Sequence, residues 1–142
     1  FIRKKWWTKL VANSAAKSHA HISPSTNSWI TTSSGIRGLD LVYIANKSKS
    51  GAELYIDRGK DSQEENKMIF DQLKTYQAQI DKNIDSFVDW QRLDSRRACR
   101  IRIDIDGGYR SPDDEWPQIQ EKMIKAMNQL EVALKPALKT LK

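Results

Sequence analysis

The sequence has few of the residues that form disulfides and metal sites, and it lacks the long apolar runs of membrane-spanning helices. It contains one cysteine, two histidines, four prolines and six glycines in 142 residues. A single cysteine excludes an internal disulfide, and the place of Cys99 in an apolar strand predicts a buried, inert thiol in a reducing compartment. No apolar run approaches the roughly 20 residues of a membrane-spanning helix, and the first residues lack the charged-then-apolar pattern of a leader. We therefore expect a cytoplasmic location and no membrane contact.

What is present is typical of a globular domain with an excess of positive charge. Apolar residues make up 39% of the chain and charged residues 30%, which predicts one domain spanning residues 1–142. The net charge of +6 and the isoelectric point near 9.5 favour polyanionic partners. The chain begins at Phe1, inside a pattern that already resembles a helix, so we expect it to be the C-terminal module of a longer protein.

Hydrophobic periodicity predicts eight elements in the order α-β-β-β-α-β-β-α. Helices are expected over residues 2–18, over 62–84 and from 113 or 114 to the end, and strands over 29–33, 39–45, 52–57, 87–93 and 98–106. Ser62 and Glu65 have the spacing of a capping box, and Pro136 should kink or split the last helix. The adjacent Trp6 and Trp7 point about 100° apart on a helix, which leaves one of them free to be partly exposed. The expected class is α+β, with a mainly antiparallel five-stranded sheet packing three helices largely on one face.

Several stretches of the sequence together resemble a known family. They are residues 22–25, 29–30, 35–38, 53–59, 64–67, 70, 90, 92–94, 96–101, 116–117, 119 and 121–123. Over nearly the whole chain they are similar to the prokaryotic domain-of-unknown-function family numbered four-two-six-eight. The resemblance implies an uncharacterised module, often C-terminal in larger proteins, some of which carry a restriction-endonuclease-like segment. It brings no catalytic residues with it.

Two acidic residues on neighbouring predicted strands raise the question of a metal site. The predicted element order matches the core of the restriction-endonuclease fold, whose site places Asp on the second strand and Glu-x-Lys or Asp-x-Lys on the third. Asp40 and Glu53 stand at these positions, and two carboxylates could hold Mg²⁺. The pattern fails at its third member, because Tyr55 stands where the lysine is needed.

An ordinary sheet surface is the favoured interpretation of the same strands. Glu53 and Asp57 would share a sheet face with Arg100 and Arg102 and form cross-strand ion pairs. Leu54, on the opposite face, would then lie in the core, as the period of two requires.

Candidate contacts to nucleic acid lie in two basic stretches and one turn. Guanidinium and ammonium groups suit phosphates, although acids in the same span can neutralise them. The candidates are Arg3, Lys4, Lys5 and Lys9 on the first helix, Arg37 in the turn at 35–38, and Arg96, Arg97, Arg100 and Arg102 around the last strand. His19 and His21 are two residues apart, but without further ligands nearby an ordinary helix-end or loop pair is favoured over a metal site.

The favoured hypothesis is a non-catalytic interaction or nucleic-acid-associated module of a larger prokaryotic protein, linked to a restriction or nuclease activity and needing no metal or cofactor. The alternative is a divergent magnesium-dependent nuclease that uses Asp40 and Glu53. Expected partners are the rest of the polypeptide, DNA, and a second copy through the wide apolar series of the C-terminal helix.

Overall fold

The elements form in the predicted order, with one helix divided in two. The computed structural model describes residues 1–142. The helices are α1 (Ile2–Ala12), α2 (Gln63–Lys74), α3 (Gln77–Lys82) and α4 (Trp116–Lys139), the last preceded by a 3₁₀ turn at Asp113–Glu115. The strands are β1 (Trp29–Ile36), β2 (Leu39–Ala45), β3 (Lys49–Ile56), β4 (Asp89–Gln91) and β5 (Cys99–Asp106). None of the helices combines the length and the apolar character needed to cross a membrane.

The five strands form one sheet in the order β1-β2-β3-β5-β4, and every neighbouring pair is antiparallel. Leu41, Leu54 and Ile101 lie side by side in register, and all three are buried in a core of 35 residues. Helix α4 contacts β2, β3 and β5, and α2 contacts β3 and β5. The predicted α+β class and antiparallel five-stranded sheet are confirmed, with four helices in place of three.

Two helices end earlier than their apolar spacing predicts. Helix α1 stops at Ala12 because Asn13 turns to an extended conformation and its Oδ1 accepts a hydrogen bond from the N–H of Ala15. The helix predicted over 62–84 divides at Thr75, whose hydroxyl donates to the carbonyl of Gln72 at 2.6 Å. Such side-chain bonds compete with helix continuation and do not appear in a hydrophobic pattern.

The predicted capping box is absent, although α2 begins where that motif predicts. The hydroxyl of Ser62 donates to the carbonyl of Gly59 at 2.5 Å and makes no bond to a helix N–H. Pro136 does not split α4, which continues through it to Lys139.

Trp6 and Trp7 are both fully buried, so the expectation that one could be exposed was wrong. The ring of Trp6 meets that of Trp116 edge-on, with centroids 4.9 Å apart. The Nε1–H of Trp7 donates to the carbonyl of Asn27 at 2.8 Å. Helix α1 is thus covered by α4 on one side and by the segment before β1 on another.

Candidate functional site

One face of the sheet carries no helix, and both candidate carboxylates lie on it. The alternation along β2 and β3 turns Asp40 and Glu53 away from the buried Leu41 and Leu54. Asp40 is paired with Tyr55 and Glu53 with Val42, so the two acids are diagonal neighbours on adjacent strands. They share a face, as a metal site would require.

The carboxylate of Glu53 already forms an ion pair with an arginine of the neighbouring strand β5. Its side chain is nearly fully buried, and the Nε–H of Arg102 donates to its Oε1 at 2.8 Å. Burial raises the pKa of Glu53, and the charges of Arg102 and Arg100 oppose that rise. The predicted cross-strand ion pair is therefore confirmed for Glu53.

Asp57 has a different partner from the one predicted. It lies just beyond β3, where its Oδ2 accepts a hydrogen bond from the Nη2 of Arg97 at 2.7 Å. Burial would raise the pKa of Asp57, but hydrogen bonds from Arg97 and from the N–H of Gly59 outweigh it and hold the pKa below its ordinary value. Arg100 instead donates to the Oε1 of Gln91 at 2.5 Å.

The donor set around Asp40 and Glu53 does not fit a magnesium ion. Mg²⁺ requires about six oxygen ligands in octahedral geometry, and one of these two carboxylates is held by a guanidinium. No group of three or more His, Cys, Asp or Glu side chains that could hold a metal comes together in the structure. Tyr55 stands beside Asp40 where the nuclease pattern needs a lysine. The nuclease alternative thus has its two acids on one face but not the surrounding ligands.

The two histidines separate into one buried and one exposed residue. His19 is fully buried, with its Nε2 lying 3.0 Å from the carbonyl oxygen of Leu41 and its Nδ1 2.7 Å from the hydroxyl of Ser18. Burial lowers its pKa to about 4. His21 is exposed and contacts the hydroxyl of Thr32 at 3.2 Å. Each histidine has its own hydrogen-bond partners, and the pair does not converge.

The arginines at one end of the sheet are largely neutralised by acids. Besides the bonds to Glu53 and Asp57, Arg92 pairs with Asp71 at 2.9 Å and also with Asp94. Arg96, Arg97 and Arg100 line a pocket of about 270 Å³ together with Asp57. Arg92, Arg97 and Arg102 are therefore already bound to carboxylates within the domain.

Three candidate arginines of the same end make no ion pair, namely Arg37, Arg96 and Arg100, the last of which bonds to Gln91. Arg37 is exposed in the turn between β1 and β2, and Arg96 is exposed before β5. Gly38 beside Arg37 has φ 81°, and a Cβ there would lie 2.9 Å from the Cα of Arg58. A positive φ and a close backbone approach both explain the glycine, as expected for a plain turn.

Residues 66 and 67 of α2 hold the two arginine-bearing loops in place. The buried ammonium of Lys67 donates to the carbonyls of Arg92, Leu93 and Ala98 at 2.6, 2.8 and 2.9 Å. Asn66 accepts from the N–H of Arg58 and donates to the carbonyl of Arg97. Sequence reasoning included these residues in the family motif at 64–67 but gave them no role.

A second basic region surrounds α1 at the other end of the sheet. We define the α1 basic surface as Arg3, Lys4, Lys5, Lys9, Lys47 and Arg110. The guanidiniums of Arg3 and Arg110 lie 5.5 and 5.9 Å from the ring centroid of Tyr109. A basin of about 610 Å³ is lined by Arg3, Lys5, Lys47 and Arg110, with Asp113 as its one acid. Lys5 is the only member of this surface in an ion pair, at 3.8 Å from Asp113.

Lys47 and Tyr109 lie at this surface, although the sequence did not predict their position there. The N–H groups of Tyr109 and Arg110 donate to the carbonyls of Asn46 and Lys47 at 3.0 and 2.9 Å, which fixes the segment after β5 against the turn between β2 and β3. A Cβ at Gly108 would lie 2.0 Å from the carbonyl oxygen of Asn46, so only glycine permits this approach. The Gly107-Gly108 pair, directly after the strand predicted over 98–106, was the available signal in the sequence.

These observations define a small α+β domain whose antiparallel sheet is covered on one face, bare on the other and flanked by two basic ends. The chain belongs to the family described as Domain of unknown function (DUF4268), whose model matches residues 2–138. The family resemblance of the sequence motifs is thereby confirmed. No curated protein and no solved structure matches the chain.

Proposed function

We propose that the chain is a non-catalytic, cytoplasmic nucleic-acid-binding module of a larger prokaryotic protein, and that the α1 basic surface contacts the phosphate backbone. The observation that carries the proposal is the set of cations around Tyr109 that have no carboxylate partner. Arg3, Lys47 and Arg110 line one basin and make no ion pair within the domain. Such cations gain most from binding phosphate, because no carboxylate competes for them, although Arg3 also donates to the carbonyl of Thr26 at 2.9 Å.

The distribution of charge favours this surface over the bare sheet face. The bare face carries five acids against three bases, namely Asp40, Glu53, Asp89, Asp104 and Asp106 against Lys49, Arg100 and Arg102. The basin of the α1 basic surface is lined by four cations and by one acid, Asp113. A polyanion is therefore attracted to the α1 end and repelled from the sheet face.

The chemistry of the basin favours phosphate contacts over the reading of base sequence. Guanidinium groups of Arg3 and Arg110 can donate two parallel bonds to one phosphate, and the lysine ammoniums act as point charges. Contacts of this kind position a nucleic acid without specifying its sequence. With four cations engaged, the logarithm of affinity for duplex DNA should fall with the logarithm of salt concentration with a slope of roughly −3 to −4.

Binding of labelled duplex and single-stranded DNA to the 142-residue chain, titrated at several salt concentrations, tests the proposal. We expect the triple substitution of Lys4, Lys47 and Arg110 by alanine to weaken binding at least about tenfold and to lower the salt slope by about 2, because Lys47 and Arg110 are two of the four cations that line the basin. The matched control replaces Lys60, Lys74 and Lys82 by alanine, which removes the same charge elsewhere. Absence of binding at low ionic strength, or equal weakening by both triples, would contradict the proposed surface.

The same samples address the link to restriction or nuclease activity that the family resemblance implies. We expect plasmid DNA to stay intact when it is incubated with the chain and Mg²⁺, because the carboxylates of the bare face do not fit the metal. Cleavage that disappears in Asp40→Asn would instead favour the nuclease alternative on Asp40 and Glu53.

Self-association through α4 has less support than the apolar series of that helix indicated. The apolar residues from Trp116 to Leu138 are buried in this domain's own core. Val132 is the one large apolar residue that α4 exposes. The apolar series of α4 is therefore already buried within the domain, and little apolar surface of this helix is left for an oligomer to bury.

A further inference from the structure

Strand β1 is an edge of the sheet, and its outer backbone groups have no partner. The N–H of Ala45 donates to the carbonyl of Ser28 at 2.8 Å, and the register continues unbroken from this pair. In an antiparallel ladder bonded and non-bonded pairs alternate, so Ile30 and Thr32 bond to β2. The N–H and C=O groups of Trp29, Thr31 and Ser33 consequently point away from the sheet. No backbone bond outside the helices and strands involves these three residues.

This edge lacks the devices that usually keep another strand away. Residues 29–33 contain no charge and no proline, and the register shifts only after Ser33. The opposite edge, β4, has only three residues and carries Asp89. Natural sheets protect their edges with short strands, charges, prolines or bulges. Over five residues β1 has none of these, and its Trp29 is 51% exposed.

A groove runs beside β1 on the helix-covered side of the sheet. It has a volume of about 390 Å³ and lies between β1 and the C-terminal half of α4. Ile36, Leu41, Val132 and Leu138 provide its apolar wall, and Val132 is 70% exposed. Alternate side chains of a strand added to β1 would project toward this groove.

The charge of the groove indicates what such a strand would carry. Lys135, Lys139 and Lys142 line it with a single acid, Glu131. None of the three lysines makes an ion pair with a carboxylate in the domain. A strand with apolar and acidic side chains on its groove side would match both the wall and the lysines.

We propose that β1 is a docking site at which an extended segment of another polypeptide, with apolar and acidic residues at alternate positions, adds a sixth strand to the sheet. The backbone of Trp29, Thr31 and Ser33 supplies three N–H and three C=O groups for hydrogen bonds. The groove beside α4 selects the side chains, which is the usual division of roles in strand addition. This site does not depend on the nucleic-acid proposal, because its groove contains none of the six cations of the α1 basic surface.

A blocked, fluorescent octapeptide, Thr-Val-Thr-Val-Thr-Glu-Thr-Glu, serves as the probe, with binding to the 142-residue chain followed by anisotropy. Thr31→Pro removes the central outward N–H, which no bond of the fold uses, and proline is tolerated at such an edge position. We expect Thr31→Pro to weaken binding at least about tenfold, since the backbone bond is lost and the ring blocks the edge. The matched control Thr31→Val keeps the N–H and should bind within about twofold of the wild type.

Two further probes keep the test decisive if Thr31→Pro does not fold. The same peptide with N-methylated threonines cannot donate to the edge and should not bind, and replacing its glutamates by lysines should weaken it severalfold. Equal binding of the N-methylated and unmodified peptides, or no binding of the unmodified one, would overturn the proposal. A dimer of the chain that Thr31→Pro dissociates would make a second copy the occupant and overturn the assignment to an acidic partner strand.

Discussion

A buried neutral histidine should make the stability of this domain depend on pH between about 6.5 and 4. The ring of His19 is fully buried beside Tyr43, with ring centroids 4.6 Å apart. Its Nε2–H can donate to the carbonyl of Leu41 while its Nδ1 accepts from the hydroxyl of Ser18. This tautomer satisfies both nitrogens without charge, and full burial disfavours the charged imidazolium.

The size of the effect follows from the pKa of His19, which burial lowers from 6.5 to about 4. Above pH 6.5 the imidazole is neutral in both folded and unfolded chains, and its contribution to stability is fully present. As the pH falls toward 4, the unfolded chain takes up a proton that the folded chain does not. At about 1.4 kcal/mol per pKa unit, the free energy of unfolding should lose about 3 kcal/mol across this window.

Urea denaturation followed by tryptophan fluorescence between about pH 7 and pH 4 measures this loss. The acids Asp40 and Glu53 have raised pKa values and contribute in the opposite direction, so the wild type alone does not isolate the histidine. The comparison is with His19→Gln, whose disadvantage relative to the wild type should shrink by about 3 kcal/mol as the pH falls. His21→Gln, at the exposed histidine, should keep the wild-type pH dependence. Parallel curves for the wild type and His19→Gln would refute the reasoning.

Two further predictions concern the buried charges. Lys67→Met leaves three backbone carbonyls without their donor and should cost about 3–5 kcal/mol in urea denaturation, against less than about 0.5 for Lys82→Met on the surface. A loss below about 1 kcal/mol for Lys67→Met would mean that water replaces the ammonium. Arg102→Met strands the buried carboxylate of Glu53 and should cost about 3 kcal/mol at pH 7, most of which the added substitution Glu53→Gln should restore. A double variant no more stable than Arg102→Met would show that the guanidinium acts through packing alone.

The fold was predictable wherever one local pattern dominated. Strand β5 alternates apolar and charged residues throughout, and its apolar residues Ile101 and Ile103 are fully buried in register with β3. Helix boundaries were less predictable, because the side chains that end α1 and α2 compete for backbone groups in ways that hydrophobic spacing does not record. Thr75 and Asn13 each end a helix whose apolar series continues beyond it.

In the candidate site, the sequence could predict only those contacts that lie within one hairpin or between adjacent strands. The pair of Glu53 and Arg102 follows from strand alternation once the register is fixed. The bonds of Asn66 and Lys67 connect α2 to loops about 30 residues later in the chain. Nothing in a short sequence window indicates such partners. The basin around Tyr109 likewise brings together residues 1–5, Lys47 and residues 109–116, which are far apart in the sequence.

Free positive charge, and not the density of arginines in the sequence, decides which end of the domain suits a polyanion. The span from 92 to 102 is rich in arginine, yet three of its five arginines, Arg92, Arg97 and Arg102, are paired with carboxylates that lie 21 or more residues earlier in the chain. Each such bond would have to break or be shared before a phosphate could bind, which offsets the gain. The cations at α1 and Lys47 have no such competitor apart from the long contact of Lys5. A weaker sequence signal therefore produces the stronger candidate surface, because the fold leaves it unpaired.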